Sequence, residues 1–173
     1  TPDADGGYVL LNRKLEDINV LYSYGVAENS DFEEMFCKKY RAIARLYDHT
    51  VNEAPIKRDF IDFHKEGVGP KKNEDCNTLE SHIAQNEDNN KKLILKMDVE
   101  GAEAPVLVQW ASSKDGIINL IILQNTFLEE AGSFWRLTKA FRTLTTIFQV
   151  QSCNTGQRMS RLCLSRSVLH KSV

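Results

Sequence analysis

Two apolar runs, KLILKMD at 92–98 and INLIILQNTF at 118–127, are nearly continuous rather than alternating. A half-buried strand alternates apolar and polar side chains, so short continuous runs of this kind read as strands covered on both faces. Such strands belong to parallel sheets, and two parallel neighbours need a crossover of about a dozen residues, usually a helix. The segment between the runs can supply it. AEAPVLVQWASS, 102–113, reads as helical, with Pro105 tolerable only near its first turn.

The same alternation runs along most of the chain. INVLYSYGV (18–26) reads as a strand. DFEEMFCKKY (31–40) reads as a helix with Asn29, Ser30 or Asp31 as its N-cap and Glu33 and Glu34 in the first turn, where the helix dipole favours negative charge. AIARLYD (42–48) and the weaker DFIDFHKEG (59–67) follow as strands, and then the turn-prone GVGPKKNEDCN (67–77). NTLESHIAQNE (77–87) has Asn77 or Thr78 as cap and Leu79 and Ile83 four apart, the pattern of a short amphipathic helix, and NEDNNKK (86–92) is expected to be a solvated loop. EEAGSFWRLTKAFRTLTTI (129–147) carries Phe134, Leu137, Phe141 and Leu144 at helical spacing. FQVQSCN (148–154) and SRLCLSRS (160–167), joined by TGQRM, suggest an antiparallel hairpin at the sheet edge. The expected fold class is therefore α/β, a mostly parallel sheet with helices on both faces. It forms one domain over 1–173, with 1–17 as an extension and 18–168 as core.

A chain of 173 residues can bury a core without disulfide or metal staples. Net charge of −2, with Lys and Arg scattered, leaves no electrostatic footprint for nucleic acid. No apolar run approaches the roughly 20 residues that cross a bilayer, so no membrane association is expected within this chain. Cys37, Cys76, Cys153 and Cys163 lack zinc-site spacing and read as free, mostly buried thiols; no metal is expected. A cytoplasmic setting is the default, and a luminal or secreted one follows if the chain, which starts at Thr1, is trimmed.

In an open parallel sheet, ligands bind beyond the carboxyl ends of the strands where strand order reverses. Gly25, at the first strand's end, lets the backbone come close to a ligand, and Ala27 is nearly as small. Asp48 ends the second strand 23 residues later, near the offset of about 20 at which nucleotide-binding folds place an acid for the ribose hydroxyls. Asp48 equally fits as a cap of the turn DHT. On the run to Met97, Lys96, Asp98 and Glu100 share one parity. Buried carboxylates are costly unless paired, so two at a strand exit suggest a cleft. Glu100 also fits as a cap for the next helix, and Asp98 as a partner of Lys96.

Taken together, DGGYVLL (5–11), VLYSYGVAENSDFE (20–33), YDHT (47–50), TLE (78–80) and LKMDVEGAE (95–103) resemble, in that order, the S-adenosylmethionine-dependent methyltransferases of the FkbM-like group. The resemblance covers most of the first 110 residues and implies a Rossmann-like methyltransferase fold with S-adenosyl-L-methionine as cofactor. It implies that Ser23, Tyr24, Gly25 and Ala27 form the cofactor loop, that Asp48 holds the ribose with His49 beside the adenosine, and that Asp98 faces the sulfonium. Glu100 and Gly101 would shape the pocket floor. Such enzymes commonly methylate hydroxyls of sugars or small metabolites. A small-molecule or glycan acceptor and O-methylation are the expectations, with Asp98, His49 and Glu100 as candidate catalytic groups and His64 as a further possible base. The chain departs from the group in its glycine-poor loop and in LQNTF, where relatives carry a Glu and often a His after the fifth strand; Gln124 and Asn125 stand there. Those amides favour the alternative of a non-catalytic cofactor-binding or regulatory module. A nicotinamide-dependent oxidoreductase would share the glycine turn and the acid, but the chain lacks G-x-G-x-x-G. His82 and His170 are assigned to structure and Trp110 to core, and oligomeric state is left open.

Overall fold

A computed structural model describes residue 15 and residues 17–99, 101–113, 118–124 and 147–151. Six strands form one sheet: β1 (Val20–Tyr24), β2 (Ile43–Tyr47), β3 (Ile61–His64), β6 (Leu93–Met97), β7 (Ile118–Gln124) and β8 (Ile147–Gln151), in the order β3-β2-β1-β6-β7-β8. Every neighbouring pair in it is parallel. A second, two-stranded sheet pairs β4 (Gly67–Val68) with β5 (Cys76–Asn77), also in parallel. The helices are α1 (Asp31–Tyr40), α2 (Leu79–Gln85) and α3 (Glu103–Ser113).

Strand alternation sorts the core into two layers. Val20, Tyr22 and Tyr24 of β1 and Leu93, Leu95 and Met97 of β6 face α2 and α3, where Leu79, Ile83, Val106, Leu107 and Trp110 pack on them. Leu21, Ala44, Leu46 and Ile94 face the other way, onto Phe32, Phe36 and Cys37 of α1. Burial pushes the Cys37 thiol up to about 12, with the charge of Glu33 adding to the shift, so this thiol is inert filling. This is the doubly wound arrangement that the apolar runs imply, with strand order reversing between β1 and β6.

Several local expectations need revision. The strand read over 59–67 is interrupted at Lys65–Glu66, and its last residue, Gly67, belongs with Val68 to the small sheet. Leu15, counted with the extension, is 2 % exposed and packs in the α1-side core. The loop 86–92 is not simply solvated. Asp88 is fully buried, accepting from the Tyr22 hydroxyl at 2.7 Å and pairing with Arg45 and Lys91. The first arm of the expected edge hairpin is β8, which runs parallel to β7. Its second arm (160–167), Cys153 and Cys163 lie outside the described residues, as does the expected helix 129–147 apart from Ile147, which opens β8.

Candidate functional site

The strand ends of β1, β2 and β6 meet at a cleft of about 410 Å³. Gly25 holds the centre. Its φ of +75° lies in the left-handed region, and a Cβ there would collide with the backbone carbonyl of Asp98. Its freedom is therefore spent on letting the β1 and β6 exits touch, where the sequence suggested only approach to a ligand. Two backbone bonds fasten the seam: Asp98 N–H donates to Tyr24 O at 3.0 Å, and Gly25 N–H donates to Tyr47 O at 3.1 Å.

Asp48, just past β2, is 5 % exposed. Its Oδ2 accepts the Ala27 N–H at 2.9 Å; its Oδ1 accepts the Thr50 N–H at 2.8 Å and the Thr50 hydroxyl at 2.6 Å. Burial is the largest single influence on this carboxyl and raises it. The Thr50 hydroxyl, the two backbone donors and His49 together outweigh burial and hold it below the usual carboxylate range. Asp48 thus does cap its own turn, and it also grips Ala27, which sits at φ 45° in the β1 exit loop. A carboxylate oxygen offers about two acceptor positions, and one hydrogen bond, from Ala27, is seen at Oδ2.

Beyond β6, the loop carrying Asp98 is held by a residue that spacing did not single out. Glu103, 1 % exposed, opens α3 and accepts the Val99 N–H at 3.0 Å and the Gly101 N–H at 2.8 Å. Glu103 thus ties the loop before α3 back onto the helix start; Glu100, considered as a cap or a functional acid, lies outside the described residues. An acid at the first turn of a helix, two residues after a glycine, was the available signal.

Of the residues singled out in the sequence, Tyr24, Gly25, Ala27, Asp48, His49 and Asp98 line this cleft together. Ser23 does not. Its side chain points to the α1 side, fully buried, and donates to Glu33 Oε1 at 2.6 Å. Alternation explains the difference, since Ser23 and Tyr24 are neighbours on one strand and face opposite layers. His64 is not among the lining residues either: it stacks on Tyr47 at 4.5 Å and meets Asp62 at 3.2 Å. The outer wall was missed by sequence reasoning, because 67–77 read as a turn. It is the β4/β5 ribbon, with Gly67, Val68 and Cys76. A Cβ on Gly67 would lie 2.7 Å from Cys76 Sγ and 2.8 Å from His49 Nδ1, so the ribbon is packed directly on the β2 exit. Among the described residues no cluster of His, Cys, Asp and Glu is arranged to hold a metal ion. Nor is any described helix long and apolar enough to cross a membrane.

A parallel sheet with a switch-point cleft suits many nucleotide-using enzymes. The family model for the methyltransferase FkbM domain matches residues 2–153 of the chain. The chain belongs to the FkbM methyltransferase family. No curated protein and no solved structure matches it. Membership makes this a methyltransferase-type protein on a Rossmann-like fold, and the family implies a methyl-donor cofactor.

Proposed function

We propose that the cleft binds S-adenosyl-L-methionine and that the protein moves its methyl group to a hydroxyl of a small-molecule or glycan acceptor. The observation that carries this is the meeting of Asp48 and Asp98 on one cleft, at the strand-order reversal, with Gly25 pinned between their strands. The fit is chemical as well as spatial. About 410 Å³ lies within the range of roughly 300–1,000 Å³ typical of small-molecule sites. Asp48 Oδ2 has an acceptor position for a ribose hydroxyl, and carboxylates beside the cleft complement a sulfonium.

The cofactor, when bound, supplies an electrophilic methyl group on a cationic sulfur. The protein's share is alignment: the acceptor oxygen must approach the carbon opposite to sulfur, and a fixed cleft removes the entropy of that encounter. A hydroxyl acceptor would also have to give up its proton during the transfer. Asp98 is the first candidate to accept it, since it lines the cleft at the β6 exit, and His49 is the second.

Calorimetric titration with S-adenosylmethionine tests the cofactor assignment, and production of S-adenosylhomocysteine with hydroxylated acceptors tests the reaction. Asp98→Asn is expected to lower kcat by about 10²–10⁴-fold if Asp98 takes the proton. Absence of binding by the unaltered chain would sink the proposal. The alternative, a cofactor-binding module without catalysis, draws support from Gln124 at the carboxyl end of β7, an amide where an acid could have served as base. Binding without turnover on any hydroxylated acceptor would favour it.

A further inference from the structure

Behind the cleft, three side chains from distant parts of the chain form one hydrogen-bonded line. His82 of α2 is fully buried; its Nδ1 lies 3.0 Å from the Tyr24 hydroxyl and its Nε2 2.9 Å from Glu66 Oε2. The direction of the bonds follows from chemistry. A carboxylate can only accept, so Nε2 carries the proton, and in a neutral ring Nδ1 then accepts from the tyrosine hydroxyl. Stacking fixes the plane of the ring: Tyr47 lies 4.1 Å from it and Tyr24 5.7 Å, centroid to centroid.

One end of the line is in the cleft lining and the other is one peptide bond from it. Tyr24 lines it and precedes Gly25, the floor; Glu66 precedes Gly67, the outer wall. The wall's own strand pairing is slight, although Val68 is buried in the core cluster that holds Tyr24 and Tyr47. Its strands are two residues each, bonded through Gly67 N–H to Asp75 O at 2.7 Å and Gly69 N–H to Asn77 O at 2.9 Å. So small a ribbon is not stable alone and takes its position from what it is anchored to. We propose that Glu66 and His82 are positioning residues, which through Tyr24 fix the separation between the floor and the outer wall of the cleft and so set its fit for the methyl donor. The last clause rests on the function proposed above; the fixing of the wall does not.

Amide hydrogen exchange on the full chain tests the wall directly. Glu66→Ala leaves the buried Nε2–H without its acceptor, and exchange at Gly67 and Gly69 is expected to rise about tenfold, with Leu21 at the sheet centre unchanged. Glu66→Gln keeps an acceptor oxygen at the same reach and is expected to stay within about twofold of the parent, a rescue that a general loss of stability would not show. Unchanged exchange in Glu66→Ala, or Glu66→Gln behaving as Glu66→Ala does, overturns the relay. Titration with S-adenosylmethionine then reads the fit: Glu66→Ala is expected to weaken Kd by about tenfold and Glu66→Gln to restore it. Equal affinities across the three proteins would overturn the link between wall and donor. A parent protein that binds no S-adenosylmethionine would remove the donor assignment, while the exchange comparison still decides the relay.

Discussion

The two faces of the sheet fasten the carboxyl end of β1 by different chemistry. On the α1 side, Glu33 Oε1 accepts both the Ser23 hydroxyl at 2.6 Å and the Lys96 ammonium at 2.9 Å, in a site where Glu33 is fully buried and Lys96 is 4 % exposed. The second Glu33 oxygen, also buried, takes no hydrogen bond among the described residues. On the α2 side the fastening is a ring, a hydroxyl and one partly exposed carboxylate, and burial, the leading influence, holds His82 below its usual value despite the opposing pull of Glu66. A buried ion pair is costly to half-remove, because the remaining charge is stranded. On the α2 side the single charged member, Glu66, is partly exposed, so removing one partner strands no buried charge and the line loses one bond at a time. The α1 side should therefore fail abruptly, and the α2 side by degrees.

The seam that both faces share comes first. Gly25→Ala puts a methyl group against the Asp98 carbonyl and a side chain at a left-handed φ, and should cost on the order of 4 kcal/mol, measured as a shift in the chemical denaturation midpoint. An effect below about 1 kcal/mol would mean that the β1 and β6 exits separate easily. Next is Lys96→Met, which strands Glu33 and should cost about 3 kcal/mol or somewhat more. Pairing it with Glu33→Leu should recover most of that loss. A double variant no better than the single one would show that the charge is not what fastens this face.

The two faces were not equally legible in the sequence. The strands were, because burial on both sides writes itself as continuous apolar runs, and Gly25, Asp48 and Asp98, which line one cleft, were singled out because strand exits are where such folds bind ligands. Glu33 and Lys96 were each seen, one as a first-turn acid and one as a strand residue. Their pairing across 63 positions depends on which strands become neighbours, and no local pattern carries that. His82 was set aside as structural for the same reason: Glu66, 16 residues before it, and Tyr24, 58 before it, meet it only once β3 ends and the chain turns back through the small ribbon. The wall itself was hidden because two-residue strands leave no periodicity to read.

Tyr24→Phe sharpens the contrast on the α2 side. It keeps the ring and its stack on Tyr47 at 5.1 Å but leaves His82 Nδ1 without a donor, and should cost about 1–2 kcal/mol, clearly less than Lys96→Met. A loss as large as that of Lys96→Met would erase the distinction between the faces.

Acid should reach the α2 side first and gently. Burial lowers the folded-state value of His82 beneath the usual 6.5, with His64 pulling the same way and Glu66 opposing. Besides these, Tyr24 and Tyr47 face the ring. The unfolded chain therefore binds the His82 proton more tightly than the folded one. The stability this group contributes is fully present above pH 6.5 and is lost as pH falls through its lowered folded value. Asp48, also lowered when folded, loses its contribution only below 3.8. Denaturation midpoints measured from pH 7.5 down to about 5 should thus fall in the parent protein and fall less in His82→Asn, which has no imidazole to protonate there. Parallel decline in the two proteins would assign the acid sensitivity to other groups and leave the α2 line without a titrating member.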